Sequence, residues 1–263
     1  LLVLALGAAA SEDFSQVAKL VASDGAASDT FGWSVASSGD FVVVGSRLDD
    51  DAGADSGSAY VYRAVDGVAT EVAKLVADDA AANDVFGASV AIHNDIIVVG
   101  SIGNDNFKGA SYIFKTSDDG ATWPLVAKLV ADDASDAASG DRFGYSVAIE
   151  GDTIAVGATL DNTGTHATGS AYVFKTPDGG ATWTQKAKLV ESNPTNGAWF
   201  GNSISLSGDV IAVGARYKNA GRGSQAGSAF VFRTTDGGET FHKSLPFRAR
   251  RRPDDAPSVA LPR

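Results

Sequence analysis

The chain of 263 residues contains no cysteine and no methionine, and only three histidines: His93, His166 and His242. Without cysteine there is neither a disulfide nor a thiolate metal ligand, and three scattered histidines do not make a zinc cluster. Proline is scarce, at 7 residues beside 30 glycines, so the chain turns often without a collagen-like or disordered bias. No stretch approaches the about 18 apolar residues of a membrane-spanning helix. Positive charge is in deficit, and the net charge of -11 argues against a nucleic-acid partner. The lack of methionine, with a start at Leu1, leads to the expectation of a fragment or a processed form.

What the chain has instead is repetition. A unit opening on Phe-Gly occurs at Phe31, Phe86, Phe143 and Phe200, at spacings of 55, 57 and 57 residues. That period suits a four-stranded blade with long loops. In the third unit, strand a runs over Ser146 to Gly151, strand b over Thr153 to Ala158, and strand c over Ser170 to Phe174. Strand d is the Ala-Lys-Leu-Val run at Ala187 to Val190, with counterparts opening at Ala127, Ala73 and Ala18. Tight turns at Gly39-Asp40, Asn94-Asp95, Gly151-Asp152 and Gly208-Asp209 join a to b and require antiparallel hairpins. Alternation puts Val147, Ile149, Ile154 and Val156 on a bulky face and Ala148, Ala155 and Gly157 on a small one. Neither face is polar, so each sheet must be covered on both sides, and the bulky face of one unit fits the small face of the next. The expected fold is all-β: a β-propeller of four-stranded antiparallel blades, four repeats long, truncated or open. A β-solenoid is the structural alternative, but it needs shorter repeats and parallel strands.

The connection from strand c to strand d has its own signature, at Thr116 to Trp123, Thr176 to Trp183 and, more weakly, Thr234 to Phe241. It resembles the Asp-box hairpin, S/T-x-D-x-G-x-T-W, in which the Asp accepts hydrogen bonds across the turn, Gly supplies a positive φ and the aromatic packs back. Such hairpins recur in sialidases, so a sialidase-like glycoside hydrolase stands as one reading. The hairpin is structural there too, and no set of convergent arginines is recognisable here.

Phe31-Gly32, Phe86-Gly87, Phe143-Gly144 and Phe200-Gly201 are each followed by a Gly-Ser or Gly-Ala pair closing strand b, at Gly45, Gly100, Gly157 and Gly214. In this paired pattern the chain resembles the FG-GAP repeats of the integrin α-subunit β-propeller, over residues 17 to about 241. The resemblance implies a propeller of seven blades, extracellular adhesion, and calcium held in the a-to-b loops. The a-to-b turns here are too short for a D-x-D-x-D-G loop, and the proline of the integrin signature is missing in every copy. The phenylalanines are expected to be core anchors between blades.

Acidic residues gather in the d-to-a loops (Asp24, Asp29, Asp78, Asp79, Asp84, Asp132, Asp133, Asp136, Asp141) and the b-to-c loops (Asp49, Asp50, Asp51, Asp55, Asp105, Asp161). In a propeller these loops share one face, which is then strongly negative. Solvation of exposed loops explains this; the other readings are a basic partner, or calcium held weakly by Asp49, Asp51 and Asp55, the one cofactor candidate. The run LLVLALGAAA at residues 1–10 reads as a signal-peptide h-region, with a buried strand as the alternative. Residues 17–22 read as a fourth strand preceding the first unit and not reaching the last, so the four units (about 31–76, 86–130, 143–190 and 200–244) form an open arc prone to self-association. Residues 245–263, with Arg248, Arg250, Arg251 and Arg252 clustered among prolines, read as a disordered or aberrant tail, or as a basic targeting or binding segment. The functional expectation is a non-catalytic, secreted or cell-surface scaffold binding a protein or glycan through the loop face. A purely structural module of a larger surface protein is the alternative.

Overall fold

The structure, a computed structural model, describes residue 16 and residues 18–133, 140–162, 167–218 and 225–243. These residues form four antiparallel four-stranded sheets, each built from strands consecutive in sequence. Blade 1 comprises β1 (Phe31–Ser38), β2 (Phe41–Ser46), β3 (Ser58–Val65) and β4 (Val68–Leu75). Blade 2 comprises β5 (Phe86–His93), β6 (Ile96–Ser101), β7 (Ala110–Lys115) and β8 (Leu125–Leu129). Blade 3 comprises β9 (Phe143–Glu150), β10 (Thr153–Ala158), β11 (Ser170–Lys175) and β12 (Thr184–Leu189). Blade 4 comprises β13 (Phe200–Ser207), β14 (Val210–Ala215), β15 (Ser228–Arg233) and the short β16 (His242–Lys243). The innermost strands β1, β5, β9 and β13 pack in succession, and no comparable packing joins β13 to β1. The arrangement is an open propeller. Asn104–Phe107 (α1) is a tight loop rather than a true helix, since Asp105 and Asn106 sit in the left-handed region at φ 49° and 58°.

The hairpins form where the sequence places them. Gly39, Asn94, Gly151 and Gly208 open the a-to-b turns with φ of 55°, 53°, 58° and 51°, a region open to Gly and Asn. Strand d extends further toward its N-terminus than the Ala-Lys-Leu-Val run, because a bulge lets Thr184 and Gln185 pair with Lys175 and Phe174. Residues 18–22 form no strand, which corrects the expectation of a preceding fourth strand. The same tetrapeptide becomes a strand only where a strand c lies beside it, and among the described residues none lies beside Ala18. Instead Leu20 and Ala22 lie on the outer face of blade 1 against Val44, Tyr60 and Tyr62. The runs at residues 1–10 and 245–263 lie outside the described residues.

The core is a series of interblade layers. Between blades 1 and 2, Val43, Ala59 and Val61 meet Phe86, Ile97, Val99, Tyr112 and Phe114. Between blades 2 and 3, Ile96, Val98 and Ile113 meet Phe143, Ile154, Val156, Tyr172 and Phe174. Between blades 3 and 4, Ala155, Ala171 and Val173 meet Phe200, Ile211, Val213 and Phe232. The match of a bulky face to a small one holds fully only in the last layer; blade 2 presents isoleucines. Each Phe-Gly phenylalanine also packs on the strand-c aromatic of its own blade, at centroid separations of 5.5, 5.4, 5.5 and 5.4 Å from the first unit to the fourth. Phe86, Phe143 and Phe200 are fully buried, whereas Phe31, with no blade before it among the described residues, is half-buried.

The two halves of the repeated pattern meet across the joint between blades. The glycine after each phenylalanine lies in a bulge at φ 85° to 90°, which turns its carbonyl toward the preceding blade. There the carbonyls of Gly87, Gly144 and Gly201 accept hydrogen bonds from the hydroxyls of Ser34, Ser89 and Ser146, at 2.8, 2.7 and 2.8 Å. The same carbonyls sit where a side chain on strand b would begin: a Cβ on Gly45, Gly100 or Gly157 would lie 2.1 Å from them. Strand b therefore carries glycine at this point because a backbone from the next blade touches it.

Phe143→Ala is expected to destabilise the protein by about 3 to 5 kcal/mol, the usual loss for a buried aromatic, and Phe31→Ala by clearly less. Denaturant unfolding midpoints of the two variants check the difference. Gly100→Ala should cost about 1 to 3 kcal/mol, because its new Cβ meets a backbone carbonyl that cannot swing away. Gly214→Ala should change stability by no more than about 0.5 kcal/mol, since its Cβ meets only the rotatable Ser203 hydroxyl. Equal losses in the two glycine variants would contradict the joint.

Candidate functional site

The d-to-a and b-to-c loops do lie together. Asn83 N–H donates to the Ala54 carbonyl at 2.8 Å, Val85 N–H to Asp55 at 3.0 Å, and Arg142 N–H to Phe107 at 2.9 Å, each across a joint. What their carboxylates do differs from simple solvation. In blade 1, Lys74 of strand d extends its ammonium to Asp24 at 2.7 Å, to Asp49 at 3.1 Å and to Asp51. The Tyr60 hydroxyl lies 2.6 Å from Asp24 and 2.9 Å from Asp49 and, having one proton, donates to one at a time. Asp49 is buried and also accepts from the Ser58 hydroxyl (2.9 Å) and the Asp51 N–H (3.0 Å).

The same cluster recurs. In blade 2, Lys128 meets Asp79 at 2.6 Å and Asn104 at 2.9 Å, while Tyr112 donates to Asp79 at 2.6 Å. In blade 3, Lys188 lies 2.6 Å from both Asp133 and Asp161, and Tyr172 lies 3.0 and 3.1 Å from the same two. Each lysine also sits over its tyrosine ring, at 5.2 to 5.3 Å. Blade 4 inverts the arrangement. Lys218 stands where the other blades carry Asp49, Asn104 and Asp161; its ammonium pairs with buried Glu191 and donates to the Asn193 carbonyl at 2.6 Å, and Phe230 replaces the tyrosine.

The expected calcium ligands are thereby placed. Asp49 and Asp51 converge, but on the Lys74 ammonium, and Asp55 stands apart with its N–H on Asp50 at 2.7 Å. Among the described residues no three Asp, Glu or His side chains are grouped as a metal would require. The expectation of calcium at Asp49, Asp51 and Asp55 is corrected accordingly: a built-in cation occupies the centre of the carboxylates. Asp29 and Asp84 shape their own loops, accepting from Ala26 N–H at 2.6 Å and Ala81 N–H at 3.0 Å.

At the opposite end of the blades the three Asp-box-like hairpins are closed in the same way. Asp118 accepts from Thr122 N–H (2.9 Å), Thr122 Oγ1 (2.6 Å) and Thr116 Oγ1 (2.7 Å), which hold its carboxyl down at about 2; Asp178, with the same partners in its own hairpin, is likewise about 2. Trp123 reaches back to the Gly120 carbonyl (3.2 Å) and packs edge-on against Phe41 of blade 1 at 5.3 Å, so the hairpin also fastens a joint. Lys115 and Lys175 donate to the turn carbonyls of Gly179 and Gly237 in the following blades. A groove of about 420 Å³ beside the first hairpin is lined by Phe41, Asp95 and the Arg63–Asp119 ion pair (2.9 Å).

The repeated Phe-Gly and Gly-Ser/Ala pairs, now seen as two sides of one joint, match the FG-GAP repeat pattern over residues 14–62, 69–114, 123–174 and 183–232. The chain belongs to the FG-GAP repeat family. Each FG-GAP match ends at strand c, and the last three begin in the c-to-d connection or strand d, so each takes in parts of two blades, and the second and third hold the rear side of one joint and the forward side of the next. No curated protein matches the chain significantly. Among solved structures it is similar to a protein from Lactobacillus plantarum, with a TM-score of 0.52 and 14% identity over 83% of this chain and 57% of that one. It also matches Sqt1 of Saccharomyces cerevisiae, with a TM-score of 0.43 and 12% identity over 82% of this chain and 64% of that one. At 14% identity the first likeness shows the fold alone. The chain spans less than two thirds of the length of either protein.

A feature that the sequence reading passed over is an aromatic cluster on the loop face at the joint of blades 3 and 4. Trp199 lies 6.4 Å from Tyr145 and 5.0 Å from Tyr217, both edge-on, and the exposed Arg216 guanidinium stands 4.9 Å from the Trp199 ring and 4.4 Å from the Tyr217 ring. In blade 1, Arg47 stacks at 3.5 Å over Trp33, which is 53% exposed. The positive φ of Trp199 (55°) is shared by Thr30, Val85 and Arg142 at the same place in the other units, so it belongs to the joint and not to a binding role.

Burial, and then the neighbouring carboxylates, raise the hydroxyl pKa of Tyr60, Tyr112 and Tyr172. Burial pulls the Lys74 and Lys188 ammonium groups down, but their carboxylate hydrogen bonds outweigh it and raise both. Groups raised on folding contribute stability that is complete below their unfolded values, here 10.0 for Tyr and 10.5 for Lys, and is lost as pH climbs above them. Unfolding midpoints should therefore fall at alkaline pH. Tyr172→Phe should lower stability at neutral pH by about 1 to 2 kcal/mol and shallow the alkaline decline, as followed by urea titrations across pH.

Proposed function

We propose that this FG-GAP chain is a non-catalytic binding scaffold of a secreted or cell-surface protein, and that it engages a protein or glycan ligand through the loop face. The observation that carries this reading is the Tyr145–Trp199–Arg216–Tyr217 cluster. Tyr, Trp and Arg are the side chains that most often dominate binding energy, and here they stand on a surface whose carboxylates are largely engaged within the fold. A glycan would stack its apolar ring faces on Trp199 and Tyr217, and a protein loop would meet the same rings with Arg216 as a polar anchor. The competing reading, a purely architectural module, draws support from those internal lysine clusters, which tie each blade to the loop that precedes it. The sialidase-like reading has less to stand on: the Asp-box carboxylates point into their own turns.

The test is a screen of the purified chain against a glycan array and a panel of immobilised extracellular-matrix proteins. Binding to at least one ligand is expected, falling tenfold or more in Trp199→Ala or Arg216→Ala and unchanged in Lys186→Ala, a residue of the outer strand β12 paired with Glu239 at 3.0 Å. No binding, or binding indifferent to the loop-face substitutions, would favour the architectural module. Release of fluorophore from a 4-methylumbelliferyl sialoside would favour the hydrolase.

A further inference from the structure

At the Asp-box end of the blades, the second and third joints are closed by a lysine of the earlier blade, and the first is not. The residue at the end of strand c, opposite the start of strand b, is Arg63 in blade 1, Lys115 in blade 2 and Lys175 in blade 3. Each lysine ammonium bridges two groups. One is the aspartate of its own a-to-b turn, Asp95 at 2.9 Å or Asp152 at 3.2 Å; the other is the carbonyl of Gly179 or Gly237 in the next hairpin. A single ammonium, with three donors, thus serves a carboxylate and a carbonyl from two blades.

In the first joint both members of the pairing are replaced together. Arg63 stands for the lysine, and Asp119 for the turn glycine, although Asp119 keeps the left-handed backbone (φ 57°) of Gly179 and Gly237 (69° and 71°). The Arg63 guanidinium is drawn to the Asp119 carboxylate at 2.9 Å and meets the Asp119 carbonyl at 3.4 Å, the long end of a hydrogen bond. Asp40 holds the same station as Asp95 and Asp152: its carbonyl accepts from Ala64 N–H at 2.7 Å, as theirs accept from Thr116 and Thr176 at 3.0 Å. Yet among the described residues no lysine or arginine pairs with the Asp40 carboxylate, which is exposed. The groove that Asp40 lines with Phe41, Asn94 and Ser117 has a volume of about 420 Å³, against about 260 and 180 Å³ at the corresponding places in the second and third joints.

We propose that this groove binds a lysine side chain of a partner protein. The other two joints are its internal template. There the lysine stem crosses the second turn glycine, with Cδ 3.5 and 3.1 Å from a Cβ position on Gly180 and Gly238; in the first joint the Phe41 ring lies over Gly120 instead. A partner's ammonium enters between the Asp40 carboxylate and the Asp119 carbonyl, and its methylenes lie along Phe41. Charge calls for one cation: Asp119 is answered by Arg63 and Asp95 by Lys115, which leaves Asp40. A guanidinium fits less well, since the chain's own Arg63, in the position of the lysines, turns to Asp119. The site lies at the end of the blades opposite the Trp199 cluster and does not depend on what the loop face binds.

Nitrogen-15 NMR titration of the chain with Nα-acetyl-lysine methylamide tests this. Backbone amides of Asp40, Phe41, Asn94 and Asp119 should shift and saturate in the millimolar range, as a single partly exposed ion pair allows. The Nζ-acetylated compound keeps the stem without the charge and should leave them unmoved. Arg63→Lys combined with Asp119→Gly rebuilds the arrangement of the other joints and should abolish binding, the chain's own lysine taking the site while the urea midpoint holds. Asp40→Asn, at an exposed turn, should also lose the saturating shifts, and it carries the test if the double variant does not fold. No saturable shift in the wild-type chain, equal shifts with the acetylated compound, or binding that survives in either folded variant would overturn the proposal. Glucosamine binding more tightly than the lysine compound would overturn it as well, in favour of an amino sugar.

Discussion

A backbone carbonyl occupies the place where a side chain would begin. The oxygen of the bulged glycine in one blade stands against the strand-b glycine of the blade before it, with a serine hydroxyl closing the contact, and this occurs three times in register. Everything else about the layers follows from that distance. Strands a, b and c of neighbouring blades approach closely enough for Phe86, Phe143 and Phe200 to be fully buried between them. The serine bond removes the penalty of a buried, unpaired carbonyl, which would otherwise oppose so close an approach. Near the rim, the loops add backbone bonds such as Phe143 N–H to the Lys108 carbonyl at 2.9 Å, and at the other end the Asp-box hairpins lay an aromatic across the same seam. The blade is thus the visible unit, while the joint is the unit of stability.

Much of this was legible in the sequence. The Phe-Gly period located strands a, b and c, the Gly-Asp and Asn-Asp pairs located the turns, and the stacking of all-β blades followed from faces that were apolar on both sides. What stayed hidden was that Phe-Gly and Gly-Ser/Ala belong to different blades at each contact: spacing along one chain shows that two motifs recur together, not which copies touch. Residues 18–22 misled for a related reason. They carry the strand-d tetrapeptide, and a strand is a property of a pair of segments rather than of one.

The acidic loops were misread because a carboxylate-rich segment says nothing of where the compensating charge comes from. Here it comes from strand d, some 50 residues away from Asp24 and from Asp79 in sequence. A signal was present in the comparison of the units with one another. The lysine of the Ala-Lys-Leu-Val run travels with a strand-c tyrosine at Tyr60, Tyr112 and Tyr172, and in the fourth unit phenylalanine and Lys218 replace the tyrosine and the acid together. Such a joint replacement within one chain points to contact. The Trp199 cluster had no comparable signal, because its members come from three separated segments that only the fold assembles.

The inverted cluster of blade 4 also bears on how such arrays grow and shrink by duplication. Its acid, Glu191, comes from the loop that precedes the blade, and its base, Lys218, from a loop within it. A gene rearrangement that exchanged whole blades at their visible boundaries would leave Lys218 attached but could supply a different loop upstream, such as one carrying Ala77 or Ala131 at that place, and strand a buried ammonium without its counter-ion. An exchange that cut within strand d would carry both partners together. The heritable module of this chain is therefore offset from its structural one by about a strand, and the fourth unit can change neighbours only if its upstream loop moves with it.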